Sequence, residues 1–162
     1  ILSKLLTNSS CAESVFFCNS GAEAIESAIK LIKKHGNNKD KSKESLILAA
    51  ESSFHGRTIG ALSATGQPKY QQGFEPLLRG FRFFKYNKID SIKKIFNESI
   101  QNNQIISGII IEPIQGEGGV IPGEKEFFRE LRELCDKNDT LLILDEVQSG
   151  VCLLYTSDAA DE

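Results

Sequence analysis

The sequence predicts an α/β fold in which a mainly parallel sheet is flanked by helices. Short apolar runs recur along the 162 residues, and stretches with helical spacing lie between them. The runs are almost continuously apolar, as expected for parallel strands that are buried on both faces. With 40% hydrophobic and 25% charged residues, the chain has the composition and length of one packed domain.

Five apolar runs are short enough to be buried strands, and several are rich in β-branched or aromatic residues. They are residues 15–18, 46–50, 81–84, 105–111 and 141–144. The alternation of these runs with helical patterns favours helices on both faces of the sheet.

Three segments between the runs place apolar side chains on one helical face. These faces carry Ile25, Ala28, Ile29 and Ile32, then Ile89, Ile92, Phe96 and Ile100, then Phe127, Leu131, Leu134 and Cys135. We predict a solvated loop at the lysine-rich run 37–43, and a loop between elements at residues 66–73.

Charge and cysteine usage exclude several classes of function. The formal charge is −3, from 19 basic and 22 acidic residues, so neither nucleic acid nor a membrane surface is expected as a partner. Four cysteines without a CxxC pair indicate neither a metal site nor a disulfide framework. A reducing compartment, and hence a cytoplasmic location, fits this pattern.

Ligands of open α/β sheets collect at the carboxyl ends of the strands, so the residues after each run matter most. Residues 15–18 are followed by Asn19-Ser20-Gly21-Ala22 at the start of a helix. Free N–H groups and the helix dipole make this a candidate phosphate cup, with Gly21 allowing close approach and Ser20 adding a hydroxyl. The simpler alternative is that Ser20 is only an N-cap.

The loop after residues 46–50 carries an aromatic ring, an imidazole and a guanidinium, on Phe54, His55 and Arg57. Phe54 is suited to stack on a flat heteroaromatic ligand, and Arg57 to bind a carboxylate. The alternatives are core packing for Phe54, a surface role for His55 and an ordinary ion pair for Arg57.

Carboxylates follow the last two runs. Residues 112–119 form a glycine-rich turn with Glu112 and Glu117, but their spacing is not that of a dinucleotide fingerprint. Asp145 emerges from the last run and needs a cationic or hydrogen-bonding partner if it is buried. Its alternatives are a capping role or a magnesium site, although no phosphate-binding GxxxxGK[ST] loop precedes it.

Taken in order, these motifs resemble the class III aminotransferases, which are pyridoxal-phosphate enzymes of fold type I. The motifs are Asn19-Ser20-Gly21-Ala22-Glu23-Ala24, Phe54-His55-Gly56-Arg57-Thr58, the run 112–119 and Asp145-Glu146-Val147-Gln148. The resemblance extends over residues 2–150, and residues 66–74 are most similar to the acetylornithine branch of the family.

The resemblance implies that Asp145 pairs with the ring nitrogen of the cofactor and that Phe54 stacks on its ring. It implies cofactor contacts from Ser20, Gly21, Ala22, Phe54, His55, Asp145, Val147 and Gln148. On the substrate side it implies Arg57 as the clamp for the α-carboxylate, Glu117 as a gate, and a role for Glu112.

The implied reaction moves an amino group from N-acetylornithine, or a related ω-amino donor, to 2-oxoglutarate in arginine biosynthesis, in a homodimer. Ornithine, succinylornithine, diaminopelargonate and 4-aminobutyrate aminotransferases share much of the pattern. A noncatalytic α/β module that binds a phosphorylated ligand is the alternative from another class.

No residue of this chain matches the Schiff-base lysine of the family. We therefore expect an interior fragment that is inactive alone, with residues 1–150 forming part of the large cofactor-binding domain. The family continues with Gly-Arg-Thr-Gly where this chain has Val151 and Cys152, so we expect residues 151–162 to be a non-native tail.

Overall fold

The structure is a computed structural model that describes residues 1–150. Within this range the helices are α1 Leu2–Asn8, α2 Gly21–Lys39, α3 Ile59–Ala64, α4 Pro68–Gln71, α5 Ile89–Gln101 and α6 Lys125–Lys137. The strands are β1 Glu44–Ala50, β2 Phe81–Phe84, β3 Gln104–Ile111, β4 Ile114–Gln115, β5 Ile121–Pro122 and β6 Leu141–Leu144.

Four strands form a parallel sheet in the order β2-β1-β3-β6. Ile47 of β1 is paired with Phe81 of β2, and Gly108 of β3 is paired with Leu141 of β6. Strands β4 and β5 form a separate antiparallel ribbon. The predicted α/β fold with a mainly parallel sheet is confirmed.

Helices cover both faces of the sheet, and each face has its own apolar core. Alternate residues of β1 divide between the two, because successive side chains of a strand point to opposite faces. Leu46, Leu48 and Ala50 join the core under α5 and α6, whereas Ile47 joins the core under α2 and α3. Buried helix residues complete these cores: Ile92, Ile95, Phe96, Phe127, Leu131 and Cys135 on one face, and Ile25, Ile29, Ile32, Ala61 and Ala64 on the other.

Helix α2 packs directly over β3. A Cβ atom at Gly108 would lie 2.5 Å from Ile32, so the absence of a side chain there lets the helix approach the strand. This packing fixes the start of α2 relative to the carboxyl ends of the strands. Within residues 1–150, no helix combines the length and apolar character needed to cross a membrane.

Three local predictions were wrong. Residues 15–18 form no strand but an irregular segment, in which Phe16 and Phe17 are 76% and 55% exposed. A short apolar run has no periodicity that identifies a strand, and a strand also requires a neighbour to pair with. The predicted loop 37–43 begins inside α2, which ends at Lys39, and Pro68 begins the short helix α4 within the predicted loop 66–73.

Apolar patterning also overestimated the buried face of α5, because Ile100 is 74% exposed. The predicted tail 151–162 lies outside the residues that the structure describes.

Candidate active site

The carboxyl ends of the strands surround a cleft at a topological switch point. From β1 the chain proceeds to β2 on one side, whereas β3 lies on the other side of β1, so the loops after β1 and β3 diverge. The cleft has a volume of about 140 Å³. Its lining consists of Gly21, Ala22, Phe54, His55, Gly56, Glu112, Asp145, Val147 and Gln148.

A buried histidine–aspartate pair lies at this cleft. Nδ1 of His55 is 2.7 Å from Oδ2 of Asp145, and their side chains are 0% and 5% exposed. The carboxylate accepts a hydrogen bond, so Nδ1 carries the proton. Asp145 therefore has the partner that its burial requires, and the surface role considered for His55 is contradicted.

Two further hydrogen bonds hold the residues of the pair, and one buried nitrogen has no partner among residues 1–150. Asp145 Oδ1 accepts a hydrogen bond from the N–H of Val147 at 3.1 Å, and the N–H of His55 donates to Thr65 Oγ1 at 3.0 Å. Nε2 of His55 is buried and has no hydrogen-bond partner among residues 1–150. With Nδ1 protonated, a neutral His55 has an acceptor lone pair on Nε2.

Glu112 is the third buried ionisable group at the cleft. Burial raises the pKa of its carboxyl to about 7, and Asp145 contributes to the rise while His55 opposes it. Oε2 of Glu112 accepts a hydrogen bond from the N–H of Phe54 at 3.2 Å. The bend after β3 is held by Tyr86, whose hydroxyl is 2.8 Å from the carbonyl oxygen of Glu112. Glu112 thus joins the loops after β1 and β3.

The start of α2 forms one wall of the cleft. Ser20 caps the helix, since its Oγ accepts from the N–H of Glu23 at 3.2 Å, and Glu23 in return accepts from the N–H of Asn19 at 2.7 Å. Ser20 and Glu23 have the spacing of a capping box, with the N–H of Asn19, the residue before the cap, as the donor to Glu23. A Cβ atom at Gly21 would lie 2.7 Å from Val147, so the bare backbone of the helix start meets the segment after Asp145.

The loop after β1 is held against α2. The carboxylate of Glu26 on α2 accepts hydrogen bonds from Thr58 Oγ1 at 2.6 Å and from the N–H of Gly60 at 3.0 Å. Gly56 has a φ of +129°, and a Cβ atom there would lie 3.0 Å from Ala22. This backbone conformation and close approach both favour glycine.

Arg57 lies outside the lining of the cleft, against aromatic rings. Its Cζ atom is 5.8 Å from the ring centroid of Phe54 and 5.4 Å from that of Tyr70. The arginine forms no ion pair with any residue that the structure describes. The ordinary ion pair considered as an alternative is therefore not found within residues 1–150.

The predicted site residues thus fall into three positions. Gly21, Ala22, Phe54, His55, Glu112, Asp145, Val147 and Gln148 line one cleft. Ser20 caps the helix whose start lines the cleft, and Arg57 and Glu117 lie outside the lining, where both contact Tyr70.

Sequence reasoning missed the contributions of Glu26 and Tyr70. Glu26 lies a turn into α2 and belongs to none of the motifs, while Tyr70 belongs to the motif 66–74 without a role of its own. A single carboxylate within a helix and a tyrosine two residues after a proline give no local sign of their partners.

Comparison with known proteins assigns the family. The model for "Aminotransferase class-III" matches residues 1–153. This chain belongs to the class III aminotransferase family. The resemblance inferred from the motifs is therefore confirmed, and the family implies pyridoxal phosphate as cofactor.

Relatives with curated names agree on one branch of that family. The acetylornithine aminotransferase of Prochlorococcus marinus (strain MED4) is 75% identical over 150 residues, which are 93% of this chain and 36% of the relative. The acetylornithine aminotransferase of Synechocystis is 50% identical over 151 residues, covering 93% of this chain and 35% of the relative. The chain thus spans little more than a third of the length of these relatives.

Solved structures show the same fold. An ornithine aminotransferase from Toxoplasma gondii ME49 matches with a TM-score of 0.85 and 28% identity, covering 99% of this chain and 38% of that one. A PLP-bound amine transaminase from an uncultivated Pseudomonas species matches with a TM-score of 0.79 and 25% identity, covering 94% of this chain and 39% of that one.

The residues at the cleft fit pyridoxal phosphate in three respects. A buried carboxylate suits a protonated pyridine nitrogen, a half-buried aromatic side chain suits the flat ring, and bare backbone at a helix start suits a phosphate. These groups belong to Asp145, Phe54 and Gly21, and all three line the same cleft.

Proposed function

We propose that the protein containing this chain is a pyridoxal-phosphate-dependent aminotransferase that moves an amino group from N-acetylornithine, or a related ω-amino donor, to 2-oxoglutarate. One observation carries the proposal: the buried pair of Asp145 and His55 lines the cleft together with Phe54 and the start of α2. The names of the curated relatives support the choice of donor and a role in arginine biosynthesis.

When bound, pyridoxal phosphate supplies an electron sink for the carbanion of the amino acid. Asp145 would hold the protonated ring nitrogen, because a buried carboxylate next to a positive charge stabilises that charge strongly. His55 donates to Asp145 through Nδ1, which holds the carboxylate in a fixed orientation.

The remaining cofactor contacts come from the walls of the cleft. The backbone of Gly21 and Ala22 would bind the phosphate at the start of α2, with Ser20 beside them. Phe54 and Val147 would flank the ring, and Gln148 would hydrogen-bond its phenolic oxygen.

Substrate recognition would fall to Arg57, Glu117 and Glu112. Arg57, which has no ion-pair partner within residues 1–150, would bind the α-carboxylate through its planar fork of N–H groups. Glu117 would act as the gate between the two substrates, and Glu112 would help to shape the substrate side of the site.

The same proposal includes a cytoplasmic homodimer, with residues 1–150 as part of its large cofactor-binding domain. The lysine that attaches the cofactor in this family would be supplied by sequence beyond this segment, because no lysine here matches it. Residues 1–162 alone are therefore expected to be inactive.

A chimera tests the proposal. The matching 150 residues of the Prochlorococcus relative are replaced by those of this chain. The rest of the relative then supplies the segments that this chain does not contain. We expect cofactor absorbance that shifts on adding N-acetylornithine, and transfer of the amino group to 2-oxoglutarate.

Assaying ornithine, succinylornithine and 4-aminobutyrate beside N-acetylornithine distinguishes the related donors. The unmodified Prochlorococcus enzyme is the control for folding and assay. A folded chimera that takes up no pyridoxal phosphate would contradict the proposed enzyme function. The noncatalytic α/β module that binds a phosphorylated ligand would then be the remaining hypothesis.

A further inference from the structure

Tyr70 connects groups that the proposed site uses separately. It lies on the short helix α4 and is half-buried. Its ring centroid is 5.6 Å from that of Phe54, with the two planes at 74°, and 5.4 Å from Cζ of Arg57. Its hydroxyl donates a hydrogen bond to Oε2 of Glu117 at 3.3 Å. One side chain thus contacts the proposed ring-stacking residue, the carboxylate clamp and the gate.

The position of Tyr70 is fixed by the loop that carries Phe54 and Arg57. The N–H of Tyr70 donates to the carbonyl oxygen of Gln67 at 3.0 Å, and Nε2 of Gln67 donates to the carbonyl oxygen of Ser53 at 3.1 Å. Nε2 of Gln71 donates to the carbonyl oxygen of Thr65 at 2.9 Å. Helix α4 is therefore attached to the site rather than to a distant surface.

Two opposite charges near Tyr70 could pair with each other and so block the proposed clamp. Arg57 and Glu117 carry opposite charges and are both exposed, yet no ion pair between them is formed. An ion pair between these two side chains would occupy the N–H groups of Arg57 and would neutralise the clamp. The ring of Tyr70 lies against the guanidinium, while its hydroxyl engages the carboxylate.

A cation–π contact suits this purpose. It attracts the guanidinium through the ring quadrupole and does not require a carboxylate partner. The N–H fork of Arg57 consequently stays available for a carboxylate from outside.

We propose that Tyr70 is a positioning residue that keeps Arg57 free for a substrate carboxylate, through a cation–π contact with its guanidinium and by holding Glu117 away from it. This rests on the proposed function in one respect, that Arg57 is the carboxylate clamp. Tyr70 acts through Arg57 and Glu117 and does not itself contact the substrate.

The test separates the hydroxyl of Tyr70 from its ring, using the chimera loaded with cofactor. Y70F removes the hydroxyl and retains the ring. Y70A removes both. Each is made in the parent background and in E117Q, which removes the charge that competes for Arg57. The primary readout is equilibrium binding of glutarate, a dicarboxylate with neither an amino nor a keto group, and KM and kcat are measured beside it.

We expect Y70F to weaken glutarate binding by about threefold to fivefold, the effect of one exposed ion pair formed in competition. KM should rise by a similar factor while kcat changes little, because the substitution weakens substrate binding and does not alter the chemical step. In the E117Q background, Y70F should have no effect on binding.

Y70A should weaken binding further, by about tenfold in total, because the cation–π contact is also lost. Part of this loss should persist with E117Q, since the ring acts on Arg57 independently of Glu117. E75Q is the matched control: it removes another exposed carboxylate in the neighbouring loop and should leave glutarate binding unchanged within about twofold.

Equal effects of Y70F in the two backgrounds, or no effect in either, would overturn the role of Tyr70. These outcomes are distinct from failure of the proposed function, in which the chimera with Tyr70 intact takes up no cofactor. Because the double mutants report coupling and not absolute affinity, a general loss of stability in one variant does not imitate the expected result.

Discussion

Among residues 1–150, three ionisable side chains are buried at the carboxyl end of the sheet, whereas the aspartate of an ion-paired group at the amino end is exposed. Counted over the whole residue, Asp145, Glu112 and His55 are 8%, 3% and 3% exposed. Before the strands, at the amino end, Asp139 pairs with His35 and Lys39 at 3.5 Å, and the side chain of Asp139 is 69% exposed. Ionisable side chains are thus buried at one end of the sheet and exposed to solvent at the other.

The difference in exposure separates ionisable groups whose burial costs stability from exposed groups that affect stability little. Desolvation of a charge costs free energy unless a partner compensates for it, so a buried cluster of three ionisable groups does not serve stability alone. Exposed pairs cost little and contribute little. The carboxyl end is therefore where substitution should affect function more than stability, and the amino end should show little effect on either.

The largest expected effect is that of D145N at the carboxyl end. Asn keeps the shape and can still accept from His55, but it cannot supply the negative charge that stabilises a protonated ring nitrogen. In the chimera we expect kcat to fall by about 100-fold to 1000-fold, the usual cost of removing one electrostatic stabiliser. Cofactor affinity, titrated by absorbance, should fall as well.

For D145N without cofactor, stability should change by less than about 1 kcal/mol, because a costly buried charge is removed while the Asn side chain still accepts the hydrogen bond from His55. Urea denaturation measures this. Activity retained within about threefold would contradict the role given to Asp145.

E112Q should change the stability of the cofactor-free protein, and the size of this change should depend on pH. Burial raises the pKa of Glu112 from 4.5 to about 7, so the folded state favours the protonated carboxyl. The stability that this group contributes is present below pH 4.5 and is lost as pH rises through about 7. Gln resembles the protonated form and does not titrate.

The cofactor-free E112Q variant should therefore gain stability relative to the parent as pH rises from 5 to 8, in urea denaturation at about five pH values across that window. His55 and Asp145 face Glu112 and are present in both proteins, so the difference between the two curves isolates Glu112. Parallel curves would show that Glu112 titrates normally.

The smallest effect is expected for D139N at the amino end. Asp139 has a φ of +48°, a conformation that Asn also tolerates, so the substitution removes charge without adding backbone strain. Loss of the pairs with His35 and Lys39 should cost less than about 1 kcal/mol and should leave kcat and KM unchanged.

The stability cost of D139N should fade in 1 M salt, where exposed charges are screened within about 3 Å. Denaturation at low and high salt tests this. A loss of activity with D139N would remove the contrast between the two ends of the sheet.

Prediction from sequence succeeded where local chemistry identifies an element. The strand 105–111 and the apolar face of Phe127 and Leu131 have patterns that few other structures satisfy, and both are present. Residues 15–18 carry an equally apolar run without a strand, because strand formation depends on a neighbour that the run itself does not specify.

The candidate site was foreseen in its residue types but not in its connections. Local motifs identified Asp145 as a group in need of a partner, and Phe54 and Arg57 as ligand-binding side chains. They did not identify His55 as that partner, because the two residues are 90 positions apart and meet only when β1 and β6 take their places in the sheet.

Periodicity and turn chemistry act between near neighbours, so the alternation of strands and helices and the capped start of α2 could be read from the order of residues. The pairings of His55 with Asp145 and of Tyr70 with Glu117 had to await folding. The reason is physical: such contacts form where distant segments are packed together, and their energy depends on the burial that this packing creates.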